Sequence, residues 1–155
     1  QATYIHCAWE YKAQGVTAAQ MNLYYGMAMV ALDGTAFVDQ YREERLSDPE
    51  VLALIPRISA RIDPEIEAMG AAYRHGSRVT VTTREGRIFK VEILNRRGSA
   101  ENPLAPEDID YKFRQVVKSC LDPDRVERVI ELVRSVDRLA DVGELIAIMA
   151  AARPQ

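Results

Sequence analysis

Cysteine and histidine are scarce: Cys7, Cys120, His6 and His75 are all the chain holds. Two cysteines are too few for a disulfide framework, and a reduced, cytoplasmic setting is expected. There is no Cys-x-x-Cys and no His-x-x-x-His, the spacings that gather ligands around zinc. His6 and Cys7 are neighbours in a stretch that reads as a strand, where successive side chains point to opposite faces. They do not make a chelating pair. No glycine-rich phosphate loop and no nucleophile elbow occurs. No apolar run has the length of a membrane span or the flanks of a signal peptide. Positive charge is not in excess: Lys plus Arg number 20 and Asp plus Glu 23, a formal net charge of −3. A nucleic-acid role usually carries a basic footprint, so none is expected. Repeats and low-complexity segments are also missing.

What remains is an ordinary globular composition in 155 residues, 48% hydrophobic and 28% charged. That is enough for one domain, or one and a small appendage. The chain opens on Gln1 rather than Met, which suggests a trimmed product or a piece of something longer.

The organising stretch is Thr17 to Gly34, TAAQMNLYYGMAMVALDG. It reads as a helix that is apolar nearly all round and therefore buried on several sides. Thr17 and Gln20 form a Thr-x-x-Gln capping box at its start, and Asp33-Gly34 supplies a left-handed stop. Tyr24 and Tyr25 lie inside it, and a buried phenol needs a hydrogen-bond partner. Packing is the ordinary role of such residues. The functional alternative is a phenol that faces a cleft and donates to an oxyanion or substrate carboxylate. Free amides at Ala18 to Met21, with Gln20 and Asn22, would help to bind an anion there.

Elsewhere the elements are plain. Thr3 to Tyr11 reads as a strand. Thr35 can cap a helical stretch through Tyr41 to about Arg45. Ser47, Pro49 and Glu50 mark a helix start, followed by Val51, Leu52, Leu54, Ile55 and Ile58 at helical spacing. Ile58, Ala60 and Ile62 alternate as an edge strand would, interrupted by Pro64. Arg78 to Leu94 is a β-hairpin: Val79, Val81 and Thr83 face one way, Phe89, Val91 and Ile93 repeat the pattern, and Gly86 sits in the turn. The opening helix is expected to cover much of its apolar face. A proline-containing loop, 95–106, follows. Helices then start at Pro106, at Asp122-Pro123 and at Asp141-x-x-Glu144. The fold class is α+β: a small antiparallel sheet with a buried helix and flanking helices. The last helices carry more apolar surface than this sheet can bury. His75 reads as a solvated loop histidine. The Arg96-Arg97 pair could attract a carboxylate, and a small ligand-binding domain gripping an anion through it is a third reading, but an isolated basic pair in a loop is usually solvated. The carboxylates Asp39, Glu43, Glu44 and Asp48 have no evident reason for a raised pKa. Read alone, these residues do not compose a full active site.

The stretch AAQMNLYYGMAMVALDG resembles the A-Q-F-S-x-x-Y-x-x-A-x-x-L-x-D-G segment of the MmgE/PrpD family, which includes 2-methylcitrate dehydratase, cis-aconitate decarboxylase and iminodisuccinate epimerase. The resemblance continues in order. Arg78-Val79-Thr80-Val81 with Glu85-Gly86-Arg87 is similar to the family's V-x-V-x-x-x-D-G-R hairpin. Gly98 with Glu101-Asn102-Pro103-Leu104 is similar to its G-x-x-x-N-P-L loop, and Lys112-Phe113 to its K-F helix. The match corresponds to the C-terminal portion of a family member.

The resemblance implies a large all-helical domain, mostly N-terminal and absent here, and a smaller α+β lid with the active site between them. Residues 1–118 would be the lid-type domain. Residues 119–155 would be a helical tail that packs on the missing domain, which accounts for the surplus apolar surface. The implied function is a cofactor-independent lyase or isomerase (a dehydratase, decarboxylase or epimerase) acting on a short di- or tricarboxylate. It needs no metal or organic cofactor, is inactive without the N-terminal helical half, and forms a homo-oligomer. The family's tyrosine falls on Tyr25, as the catalytic candidate; Tyr24, about 100° round the helix, would be plain core. Gln20 and Asn22 are the substrate-binding candidates. Met21 and Asn22 replace the family's Phe and Ser, and the Asn alters polarity beside the site. The alternative is a non-enzymatic subunit or interaction domain that binds a partner through its terminal helices.

Overall fold

The computed structural model describes residues 2–150. Two compact units divide between Pro103 and Leu104, so helix 106–117 belongs with the helices that follow it.

The first unit begins with a helix, not a strand. Helix α1 spans Ala2–Cys7, and Ala8 N–H closes on the Tyr4 carbonyl at 3.1 Å. β-propensity is a preference for a half-buried pleated surface, and a strand needs a paired neighbour. Among the described residues no strand pairs with this segment, so the backbone bonds within itself.

The Thr17–Gly34 stretch is two helices. Helix α2 spans Val16–Gln20, the chain breaks at Met21, and helix α3 spans Leu23–Asp33. The Thr17–Gln20 box does not form, because Thr17 already lies within α2. The cap is Asn22: its Oδ1 accepts from Tyr25 N–H at 3.0 Å, and its Nδ2 donates to the Trp9 carbonyl at 2.8 Å. Asparagine is among the strongest N-caps, and the second bond fixes it to the preceding segment. Gly34 ends α3 as expected, at φ 74° with its N–H on the Val30 carbonyl.

Burial is one-sided. Tyr25, Ala28 and Met29 of α3 are buried, and with Ala19, Leu46 and Val51 they form the core of this unit. Their i, i+3, i+4 spacing is a single helical stripe. Val30, on the other side, is exposed, and so is Leu32 at the end of the stripe, so the expectation of burial on several sides does not hold among the described residues.

Around this core lie a 3₁₀ turn at Val38–Tyr41 and the short helices α4 (Glu43–Leu46) and α5 (Pro49–Leu54). Asp48, not Ser47, caps α5, accepting from Glu50 N–H at 2.9 Å. Residues 58–63 form no strand; Asp63 instead caps helix α6 (Pro64–Ala68) through the amides of Glu65 and Ile66.

The hairpin stands as read. Strands β1 (Ser77–Thr82) and β2 (Ile88–Ile93) pair antiparallel, with Val79 opposite Val91 and Val81 opposite Phe89. Gly86, at φ 80°, makes the turn. Its apolar face is open: Val81 is 53%, Phe89 56% and Val91 52% exposed. The helix expected to cover it packs instead against α5 and the neighbouring turns. The opposite face carries Arg78, which binds Glu92 across the strands, Asp63 at 3.0 Å and Glu65 at 2.6 Å. A two-stranded ribbon is marginal alone, and this clamp ties it to the start of α6.

The second unit holds α7 (Pro106–Val117), α8 (Pro123–Arg134) and α9 (Gly143–Ala150). Asp122 caps α8 at Arg125 N–H, 3.0 Å, and Asp141 Oδ1 accepts from Gly143 N–H at 2.9 Å. Val126, Val129, Ile130 and Leu132 are buried. Arg114–Glu127 joins α7 to α8 and Arg128–Glu144 joins α8 to α9. Ile109, Val133, Ile146 and Met149 are exposed.

Candidate functional site

Tyr25 lies in the first turn of α3 because Asn22 starts the helix three residues earlier. Its side chain points into the core and is fully buried. The ring stacks on Tyr11 with centroids 4.9 Å apart and tilts against Tyr41 at 5.6 Å. The hydroxyl donates to the Gln40 carbonyl at 2.6 Å. Burial pushes this phenol up to about 12, with Tyr11 adding to the rise and Arg45 opposing it. Near neutral pH the group is therefore a neutral hydrogen-bond donor, not a phenolate base.

The other two candidates differ in setting. Asn22 is 3% exposed, and both ends of its amide are engaged as described. Gln20 ends α2 and is exposed. Two of the amides expected to be free are bonded: Ala19 N–H to the Gly15 carbonyl at 3.1 Å and Met21 N–H to the Thr17 carbonyl at 3.2 Å.

Tyr24 and Tyr25 exchange the places expected of them within this unit. Tyr24 is half-buried and lines an apolar cleft of about 330 Å³ with Glu10, Tyr11, Leu52, Ile55 and Ile58. Tyr25 is the core residue.

A second cleft, of about 240 Å³, lies where the two ends of the hairpin meet the flanking loops. Arg74, His75, Arg96, Ser99 and Glu101 line it. Arg74 Nε–H donates to His75 Nε2 at 3.1 Å, which leaves the imidazole proton on Nδ1. Desolvation, then Arg96 and Arg74, hold His75 below the usual histidine range. His75 and Arg96 were read as separate solvated residues; pairing of the strands brings them to one place. Among the described residues no group of three or more His, Cys, Asp or Glu side chains could hold a metal ion. Among them too, no helix is long and apolar enough to cross a membrane.

The sequence profile of the MmgE/PrpD C-terminal domain matches residues 1–138. A cis-aconitate decarboxylase-like protein, oryM, of Aspergillus oryzae is 26% identical over 152 residues, 97% of this chain and 31% of that protein. The cis-aconitate decarboxylase of Aspergillus terreus is 28% identical over 148 residues, 93% of this chain and 30% of its own length. Human cis-aconitate decarboxylase is 25% identical over 137 residues, 88% of this chain and 28% of that protein. The chain thus spans less than a third of the length of these relatives.

Proposed function

The chain belongs to the MmgE/PrpD family, and on that premise we propose that the protein carrying it is a lyase acting on a short di- or tricarboxylate, with decarboxylation of cis-aconitate the leading reaction. What supports this most is the run of relatives named cis-aconitate decarboxylase, aligned over 88% to 93% of the chain. In such a reaction the bond to one carboxylate breaks and carbon dioxide leaves. The electron pair stays on the substrate and is quenched by a proton. No metal or organic cofactor enters this scheme. The setting is cytoplasmic and the assembly a homo-oligomer.

In this reading residues 1–118 act as a lid over an all-helical domain supplied by the rest of the protein, and residues 119–155 pack on that domain. The exposed apolar residues Val133, Ile146 and Met149 suit such packing. Tyr25 is the candidate for contact with a substrate carboxylate. As a neutral donor it would exchange the Gln40 carbonyl for that carboxylate when the lid is closed. Gln20, at the exposed end of α2, and Asn22, which holds the start of α3, complete the proposed site.

A non-enzymatic interaction module is the second reading. It is favoured by the bond from Tyr25 to Gln40, since a phenol already satisfied in the core requires no substrate. Carbon dioxide release from cis-aconitate by the full-length protein separates the two. The first reading expects turnover, with kcat lowered roughly ten- to a hundredfold in Tyr25→Phe. Turnover unchanged by that substitution removes Tyr25 from the chemistry, and no turnover with short polycarboxylates favours the module.

A further inference from the structure

We propose that the cleft between the ends of the hairpin is a binding site for a small carboxylate, held by Arg74, Arg96 and His75. The proposal is independent of the reaction assigned above. Three nitrogen-bearing side chains converge on one concavity of about 240 Å³, and a single carboxylate, Glu101, faces them. Arg96 forms no ion pair among the described residues, and Arg74 spends its Nε–H on His75. Both guanidiniums keep the terminal fork that fits a carboxylate with two parallel hydrogen bonds. Ser99 lines the same cleft. It stands close enough to Glu101 to help the Glu101 backbone amide hold that carboxyl below its usual range.

The electrostatics have the same sense. Among the described residues lining the cleft, Arg74 and Arg96 oppose protonation of His75, and Glu101 lies across from it. An added anion offsets the two arginines, so anion binding and protonation of His75 favour one another. By linkage, whatever raises the His75 pKa by one unit binds the protonated form tenfold more tightly. One carboxylate among three cationic or cationisable groups leaves room for a further negative charge, which the forked donors can hold by paired hydrogen bonds.

The test is an NMR pH titration of the His75 ring in the full-length protein, its signal assigned by loss in His75→Gln. Citrate is added at ionic strength matched with sodium chloride. Saturable elevation of the His75 pKa by about one unit is expected, with the elevation lost in Arg96→Gln and reduced in Arg74→Gln. The proposal is overturned if citrate does no more than chloride, or if Arg96→Gln responds as the wild type does. It is also overturned if inorganic phosphate acts at lower concentration than citrate. Because the readout is a ring titration, failure here leaves the decarboxylase reading untouched, and inactivity on cis-aconitate leaves this site untouched.

Discussion

The hydroxyl of Tyr25 donates to the backbone carbonyl of Gln40 at 2.6 Å, joining the first turn of α3 to the 3₁₀ turn at Val38–Tyr41. One bond thereby fixes a side chain in the core and the loop that covers it. Tyr25→Phe keeps the ring stacked on Tyr11 but leaves the carbonyl without its donor. Urea unfolding should show a loss of roughly 1–2 kcal/mol with an unchanged m-value. The phenol should also titrate late, near 12. Its folded pKa is raised, so its stabilising contribution is complete below the ordinary tyrosine value of about 10 and lost as pH climbs through the folded value. Ultraviolet titration of the wild type against Tyr25→Phe should differ by one phenol in that late range, and not below pH 10.

Asn22 performs two tasks, and substitution can separate them. Asn22→Ala removes the cap of α3 and orphans the Trp9 carbonyl, for an expected cost of roughly 2–3 kcal/mol. Asn22→Ser, which restores the residue of the family motif, keeps a capping oxygen but loses the donor to Trp9. Its cost should be about half as large. Equal losses in the two variants, measured by denaturant unfolding, would contradict this division.

Arg78 and Asp63 couple the hairpin to α6 at 3.0 Å. The amide of Ile66, then that of Glu65 and the Arg78 guanidinium, hold the Asp63 carboxyl below the usual aspartate range. Between the folded and unfolded pKa values the unfolded chain binds more protons, so stability rises with pH there. The contribution is present above the unfolded value of about 3.9 and is lost as pH falls through the folded one. Asp63→Asn retains a capping oxygen while removing the charge. It should flatten the acid limb of the stability profile and leave α6 intact by circular dichroism.

Elements set by local chemistry were legible in the sequence. Alternation of Val79, Val81, Phe89 and Val91, with Gly86 between, specified the register. Gly34 and Asp122 marked helix ends whose caps depend on residues within one turn. What depended on distant groups was not legible. Thr3 to Tyr11 has strand-like composition, but among the described residues no strand pairs with it. Thr17 and Gln20 spell a capping box, yet Asn22 takes that role because the Trp9 carbonyl meets its amide. Which tyrosine faces inward was not legible either: Tyr25 is buried and Tyr24 only half-buried. The meeting of His75 with Arg96 was implicit in the hairpin: Ser77 pairs with Ile93, so residues just before β1 and just after β2 must adjoin.

The most direct measurement of the central claim is reconstitution. The helical remainder of the full-length protein is produced without residues 1–155, and carbon dioxide release from cis-aconitate is followed as this chain is titrated in. The account predicts negligible release from either part alone, and release that rises with added chain and saturates. Full activity in the helical part by itself, or none in the intact protein, would contradict it.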